Sequence, residues 1–102
     1  MSSIDFIEIS IDKINESIYI KIDVKNNLVT TNKKEKNISN LKIESLLRII
    51  RTWKDLYEED NIDSEKTMIR IKGKDYVDVI KCNGAYPRNY NLFKDWVGDI
   101  YE

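Results

Sequence analysis

The sequence predicts an α+β domain: an antiparallel sheet of about five strands in the order β-β-β-α-β-β-α, with two helices packed on one face. Two stretches, 5–31 and 66–82, alternate apolar and polar residues with a period of two, which is typical of half-buried strands. Two others, 39–59 and 87–101, place apolar residues every three or four positions, which is typical of amphipathic helices. Because strands come in runs and do not alternate strictly with helices, the pattern favours α+β over a parallel α/β fold. A length of 102 residues suits a single domain, 1–102.

The first three predicted strands form an antiparallel meander. Residues 5–11 and 17–24 carry isoleucine or valine at every second position, so each strand has one apolar face. The Asn-Asn pair at 26–27 separates the second strand from the third, and asparagine tolerates the positive φ of a tight hairpin turn. A two-residue turn there predicts that Val24 pairs with Val29.

A helix is predicted from about 40 to 59, after the polar connector 32–37. Ser39 suits its N-cap, because the hydroxyl oxygen accepts a hydrogen bond from a backbone N–H of the first turn. One face of this helix carries Ile43, Leu46, Leu47, Ile50, Trp53 and Tyr57. We therefore expect Trp53 to point into the core.

A second hairpin and a final helix complete the fold. Residues 66–72 and 75–82 predict two strands, and Gly73 between them would supply the special dihedral angle of the turn. Pro87 suits a first helical turn, and Asn89 is an alternative N-cap. The apolar residues of the final helix recur at i, i+3, i+4 and i+7 as Phe93, Trp96, Val97 and Ile100.

The composition argues against most enzyme chemistry. The chain has no histidine, which removes the commonest general base and the usual nitrogen ligand of zinc. It has no glycine-rich phosphate-binding motif. We therefore expect no catalytic residue, no cofactor and no bound metal. A pair of carboxylates can perform acid–base catalysis without histidine, so a small carboxylate-dependent enzyme stays as a third interpretation.

Cysteine usage and hydropathy favour a cytoplasmic protein. Cys82 is the single cysteine, so an internal disulfide is excluded and a reducing compartment is the natural one. A buried, unreactive thiol is the favoured interpretation of this residue. The N-terminus lacks the basic start of a signal peptide, and no apolar run is long enough for a membrane span.

The segment between the last predicted strand and the last helix combines aromatic rings, amides and one guanidinium. Such side chains are enriched at the hot spots of protein interfaces. The candidate partner-binding residues are Asn83, Tyr86, Arg88, Asn89 and Tyr90. A structural interpretation is also open, in which Gly84 permits a tight bend and the tyrosines pack over the sheet edge. The two interpretations are compatible if only some of these side chains point outward.

Two charged segments complete the list of candidates. Lys33, Lys34 and Lys36 would form a phosphate-contacting patch in a nucleic-acid-associated regulator. No aromatic residues alternate with these lysines, and the net charge of the chain is −1, so a solvated connector is favoured. The acidic run 58–65 is likewise interpreted as a solvated loop.

The stretches TWKDLYEEDNID, MIRI and NGAYPRNYNLFKDW together resemble a pattern in small uncharacterised α+β proteins of low-GC Gram-positive bacteria and their mobile elements. In that pattern a helix with a Trp…Tyr pair precedes a strand and a hairpin, and the last helix starts with Y-P-x-N-Y-x-x-F. The resemblance covers about 39–100. It implies a shared architecture and, from the setting of such proteins, an inhibitor or immunity-type role.

Together these observations predict a non-catalytic protein–protein interaction module with an unidentified protein partner. A nucleic-acid-associated regulator that uses the three lysines is the alternative. We expect no membrane partner. A homodimer through an exposed sheet edge is also open, with the first or the third predicted strand as that edge.

Overall fold

The computed structural model describes residues 4–59 and 65–101, and all structural statements concern these residues. Its elements are β1 (Ile4–Asp12), β2 (Ser17–Asp23), β3 (Leu28–Thr31), β4 (Glu35–Asn37), α1 (Asn40–Ile50), β5 (Leu56–Glu58), β6 (Lys66–Gly73), β7 (Val77–Asn83) and α2 (Tyr90–Tyr101). The α+β class and the two helices are confirmed. The described residues form seven strands instead of about five, because β4 and β5, three residues each, were not predicted.

The strands form one sheet in the order β4-β3-β2-β1-β6-β7-β5. Every neighbouring pair is antiparallel except β5 and β7, which are parallel, so the sheet is mixed and the expected all-antiparallel sheet is wrong in this detail. The first and third predicted strands, β1 and β3, each lie between two neighbours and are not edges. The edges of the described sheet are the two short strands, β4 and β5.

The hairpin between β2 and β3 is longer than predicted. Ile22 pairs with Val29, so the prediction that Val24 would do so is wrong by two positions. The carboxylate of Asp23 accepts hydrogen bonds from the backbone and side-chain amides three residues later and stabilises the longer turn. The last residue of the turn, Asn27, has the expected positive φ, at 54°. A shift of two positions leaves every side chain on its predicted face.

Both helices pack on the same face of the sheet. From the strands, the core contains Ile7, Ile9, Ile11, Ile18, Ile20, Ile22, Val29, Ile69, Ile80 and Cys82. The helices contribute Ile43, Leu46, Ile50, Phe93, Trp96, Val97 and Ile100. Burial of one such large apolar side chain stabilises a fold by about 1.5–3 kcal/mol. Trp53 and Trp96 are both buried, as predicted.

α1 starts as predicted but ends early. Ser39 is its N-cap, and its hydroxyl accepts a backbone N–H of the first turn at 3.1 Å. The helix ends at Ile50, so the prediction that it continues to about 59 is wrong. Trp53 reaches the core from the turn that follows, and the chain then extends as β5 along β7. The helix-like spacing of apolar residues in the sequence therefore extends past the end of the helix, to Trp53 and Tyr57.

Gly84 has the role expected from the sequence, whereas Gly73 does not. Gly73 does not adopt positive φ, so the predicted special dihedral angle is wrong. A Cβ at this position would overlap the ring of Tyr76, so a larger residue there would require this ring to move. Gly84 has a φ of 86° and forms the bend expected after β7.

Candidate functional site

The five sequence-predicted binding residues lie at the junction of β7 and α2. Asn83 is the last residue of β7 and pairs with Lys66 of β6. Arg88 is exposed and makes no ion pair with another described residue, whereas the other four are half-buried. Arg88 is thus the member of the set that is most available to a partner.

Asn89 connects the two helices. The indole N–H of Trp53 donates to Oδ1 of Asn89 at 2.6 Å. Its Nδ2 donates to the backbone carbonyl of Ile49 at 2.9 Å, in the last turn of α1. This side chain satisfies two polar groups near the core, so its amide is already used within the fold.

Tyr86 and Tyr90 attach α2 to the start of β6. Their ring centroids lie 4.5 Å apart. The hydroxyl of Tyr86 donates to the backbone carbonyl of Glu65, and that of Tyr90 donates to the Glu65 carboxylate at 2.5 Å. Lys94 donates to the same carboxylate at 2.5 Å. Within the acidic run, Glu65 is therefore bonded inside the fold, contrary to the expected solvated loop, while Asp60 and Asp63 lie outside the described residues.

The pKa shifts in this region do not favour acid–base catalysis. Burial, together with the hydrogen bond to Glu65, raises the pKa of Tyr90 far above the neutral range. Burial raises the pKa of Cys82 to about 11, so this thiol stays protonated at neutral pH. Burial opposes ionisation of Glu65, but hydrogen bonds from Lys94 and Tyr90 outweigh it and lower the pKa of Glu65.

Two of the three sequence-predicted lysines, Lys33 and Lys36, lie on the helical side of the sheet. Lys33 places its Nζ 4.3 Å from the ring centroid of Tyr101 in α2. Lys36 is half-buried and pairs with Val29, whose side chain is in the core, so Lys36 lies on the helical side of the sheet. The backbone carbonyl of Lys34 accepts a hydrogen bond from Thr31.

The opposite face of the sheet carries neither α1 nor α2. We call this surface the open face. Its central part consists of Phe6, Glu8, Ser10, Tyr19, Lys21, Leu56, Met68, Arg70, Lys72, Val77, Val79 and Lys81, which belong to five adjacent strands. The next row on the same side consists of Asp12, Lys66, Asn83 and Glu58. All of them are half-buried or exposed, whereas most of their neighbours along the strands are buried. Among them, Leu56 and Val77 are large apolar residues with 53% and 57% exposure.

The strand register arranges the open face in rows. One row runs Lys21, Glu8, Arg70, Val79, and the next runs Tyr19, Ser10, Met68, Lys81, Leu56. Neighbouring strands lie about 4.8 Å apart, so members of a row are direct neighbours. Two adjoining depressions of about 250 and 310 Å³ share Ser10 and Met68 and give this surface a contoured shape.

Glu8 lies at the centre of the open face, where the charge of its carboxylate is balanced by Lys72. Lys72 Nζ lies 2.6 Å from its carboxylate, and the hydroxyl of Tyr19 donates to it at 3.0 Å. The hydrogen bond from Lys72 lowers the pKa of Glu8 despite partial burial. Lys21 lies 4.9 Å from the ring centroid of Phe6, in a cation–π contact.

The remaining charge at the centre of the open face is positive. Arg70 and Lys81 are exposed and make no ion pair within the described part of the chain. The centre thus holds four cations, Lys21, Arg70, Lys72 and Lys81, and the carboxylate of Glu8, which is paired with Lys72. The carboxylates of Asp12 and Glu58 lie in the next row of the same face. Asp12 and Asp23 lie at the ends of their strands, where each accepts hydrogen bonds from nearby side chains.

No protein-family model matches this chain, and no curated protein matches its sequence significantly. Neither described helix has the length and the apolar character that a bilayer span requires. The resemblance on residues 39–100 therefore stays a prediction, and the function has to be inferred from the surface itself.

The open face was not among the sites predicted from the sequence. The alternation in the first two strands already placed Phe6, Glu8 and Tyr19 on the outward side. The same period applied to 66–72 would have added Met68 and Arg70. Nothing in the local pattern indicates that β6 pairs with β1. This pairing places the outward residues of β6 next to those of β1 and β2.

Proposed function

We propose that this protein is a non-catalytic protein-binding module that binds its partner through the open face. The observation that carries the proposal is an uncovered sheet face on which aliphatic side chains lie beside unpaired cations. Protein interfaces combine a partly apolar centre with polar groups that fix the orientation of the partner. Leu56 and Val77 expose more than half of their surface there, which a partner protein would bury.

The non-catalytic part of the proposal is supported by the ionisable groups with shifted pKa values. The pKa shifts of Cys82 and Tyr90 move both groups away from neutral pH, and Glu8 is paired with Lys72. Enzymes instead place at least one such group near its working pH. The inhibitor or immunity-type role that the resemblance implies is one form of such binding, with an enzyme or toxin as the partner.

The test compares two matched surface variants in affinity capture from cells of the source organism. Leu56→Glu/Val77→Glu changes two exposed apolar residues of the open face. Leu41→Glu/Leu92→Glu makes the same chemical change at two exposed leucines of the helical layer, 77% and 57% exposed. Circular dichroism confirms first that both variants remain folded.

A specific partner captured by the wild type should be lost with the open-face variant and retained with the helical variant. Retention by both variants, together with loss in Arg88→Ala, would move the binding site to the junction of β7 and α2. Capture of nucleic acid alone, abolished by Lys33→Ala/Lys36→Ala, would replace the proposal with the nucleic-acid alternative.

A further inference from the structure

We propose that Asn83 is a site of spontaneous deamidation, and that the pairing of β5 with β7 controls the rate of this reaction. The reaction needs no enzyme, and water is its only co-reactant. The inference goes beyond the proposed function and does not depend on it. It is carried by the Asn-Gly pair at the end of β7 and by the hydrogen bond that holds the Asn83 carbonyl.

The chemistry follows from the residue pair itself. Asn83 and Gly84 form the only Asn-Gly dipeptide in the chain. The backbone nitrogen of the glycine loses its proton and attacks Cγ of the asparagine side chain. A bond forms between this nitrogen and Cγ, the Cγ–Nδ2 bond breaks, and Nδ2 leaves as ammonia. Glycine favours the attack because it has no Cβ to crowd the nitrogen.

Water completes the reaction by opening the five-membered succinimide ring. Hydrolysis of the bond between the nitrogen and Cγ gives aspartate, and hydrolysis of the bond to the main-chain carbonyl carbon gives isoaspartate. The side chain of Asn83 lines the depression of about 310 Å³ on the open face and is half-buried, so water reaches it.

Ring closure requires the backbone of Asn83 to leave its strand conformation. The Gly84 nitrogen must approach Cγ, which requires rotation about the Cα–C bond of Asn83. The same rotation turns the carbonyl oxygen of Asn83, which accepts the backbone N–H of Glu59 at 2.9 Å. This hydrogen bond must therefore break before the ring can form.

β5 is the strand that holds Asn83 in this conformation. Glu58 of β5 pairs with Asn83, and Glu59 follows directly. β5 has three residues, lies at the edge of the described sheet and pairs with β7. Local opening of such segments requires less free energy than global unfolding. We therefore expect deamidation to proceed from molecules in which β5 has separated from β7.

The products would weaken the same pairing. Isoaspartate adds one methylene to the main chain at the point where β5 and β7 meet, and this disturbs the register. Aspartate would place a carboxylate directly opposite Glu58, and like charges in that position are destabilising. Lys66, opposite on β6, would balance part of that charge. Isoaspartate is therefore the product that should release β5 more strongly.

The experiment follows the reaction in the full chain at mildly alkaline pH. After timed incubation, trypsin releases peptide 82–88, and mass spectrometry measures the conversion of Asn83. Isoaspartyl methyltransferase labels the isoaspartate product. A synthetic peptide of residues 79–91 gives the unprotected rate. The native chain should react about tenfold or more slowly than this peptide, and guanidinium should remove the difference.

Two variants at one position test the role of β5. Glu59→Pro removes the N–H that donates to the Asn83 carbonyl, whereas Glu59→Ala removes the side chain and keeps that N–H. The proline variant should react about threefold or more faster than the alanine variant, since one net hydrogen bond is lost. The alanine variant should react at the wild-type rate. Circular dichroism verifies that both are folded.

Hydrogen exchange provides a second measurement on the wild type if Glu59→Pro does not fold. The Glu59 amide exchanges only when its bond to the Asn83 carbonyl opens. Its protection factor should therefore match the slowing of deamidation in the native chain within about threefold.

Three results would overturn the inference. Equal rates in the native chain and in the peptide would show that strand pairing does not protect Asn83. Equal rates in the proline and alanine variants, or a Glu59 protection factor far from the slowing of deamidation, would remove β5 as the controlling strand. A failure of Asn83 to react in both the peptide and guanidinium would exclude the site. The capture experiment with the open-face variants is independent of all three.

Discussion

Asn89→Ala should be one of the most destabilising substitutions of a partly exposed polar residue in this fold. The change removes the acceptor of the Trp53 indole N–H and the donor to the Ile49 carbonyl, at 2.6 and 2.9 Å. A buried polar group that loses its partner costs about 1–3 kcal/mol. Asn89 is half-buried, so water reaches part of the site, and we expect a combined loss of about 2–4 kcal/mol. Small domains are stable by only about 5–15 kcal/mol, so the loss is a large fraction of the total.

The assay is urea unfolding followed by circular dichroism at 222 nm, because Trp53 fluorescence would respond to the substitution itself. Asn91→Ala is the matched control: it makes the same chemical change two residues away, at an exposed position of α2. The control should stay within about 0.5 kcal/mol of the wild type. The melting temperature of Asn89→Ala should decrease by about 8 °C or more, since 1 kcal/mol corresponds to about 4–8 °C in a domain of this size.

A loss below about 0.5 kcal/mol for Asn89→Ala would refute this reasoning, because the two hydrogen bonds would then contribute no more than surface contacts. A double-mutant cycle with Trp53→Phe isolates the first bond. The two substitutions should show a coupling free energy of about 0.5 kcal/mol or more if the indole and the amide interact as described.

Three further predictions concern ionisable groups. Cys82 should resist iodoacetamide in the native protein at neutral pH and react fully in guanidinium, and rapid native labelling would contradict its burial. Glu8→Gln should reduce the free energy of unfolding at neutral pH. The lowered pKa of Glu8 means that its stabilisation is present above the usual value of 4.5 and is lost as pH falls through the folded value. The difference from the wild type should therefore close in acid, and a constant difference down to the acid transition would contradict the pairing with Lys72. Tyr90→Phe should lower stability by about 1–3 kcal/mol in urea unfolding, because the Glu65 carboxylate loses a donor, and an unchanged midpoint would contradict that bond.

The local periodicity predicts the elements well where one face of each element is buried. Ile7, Ile9 and Ile11 alternate because β1 has its inward side in the core, and Phe93 to Ile100 repeat because α2 covers that core. The Ser39 cap and the bend at Gly84 also follow from residue chemistry. These features depend on residues close together in sequence.

The features that the sequence did not predict depend on long-range pairing. α1 ends at Ile50, and next to this end Asn89, from a distant part of the chain, bonds the Ile49 carbonyl and the Trp53 indole. The three-residue strand β5 has no alternation long enough to detect, and it exists through its pairing with β7. The candidate site could not be predicted from the local sequence for the same reason. It forms only because β6 pairs with β1 at the centre of the sheet.

The central claim is that the open face contacts the partner, and site-specific photo-crosslinking tests it most directly. Benzoylphenylalanine is incorporated separately at Val79 on the open face, at Leu92 on the helical layer and at Arg88 between β7 and α2. We expect a covalent adduct with the captured partner from position 79 and none from position 92. An adduct from position 88 or 92, with none from position 79, would contradict the claim.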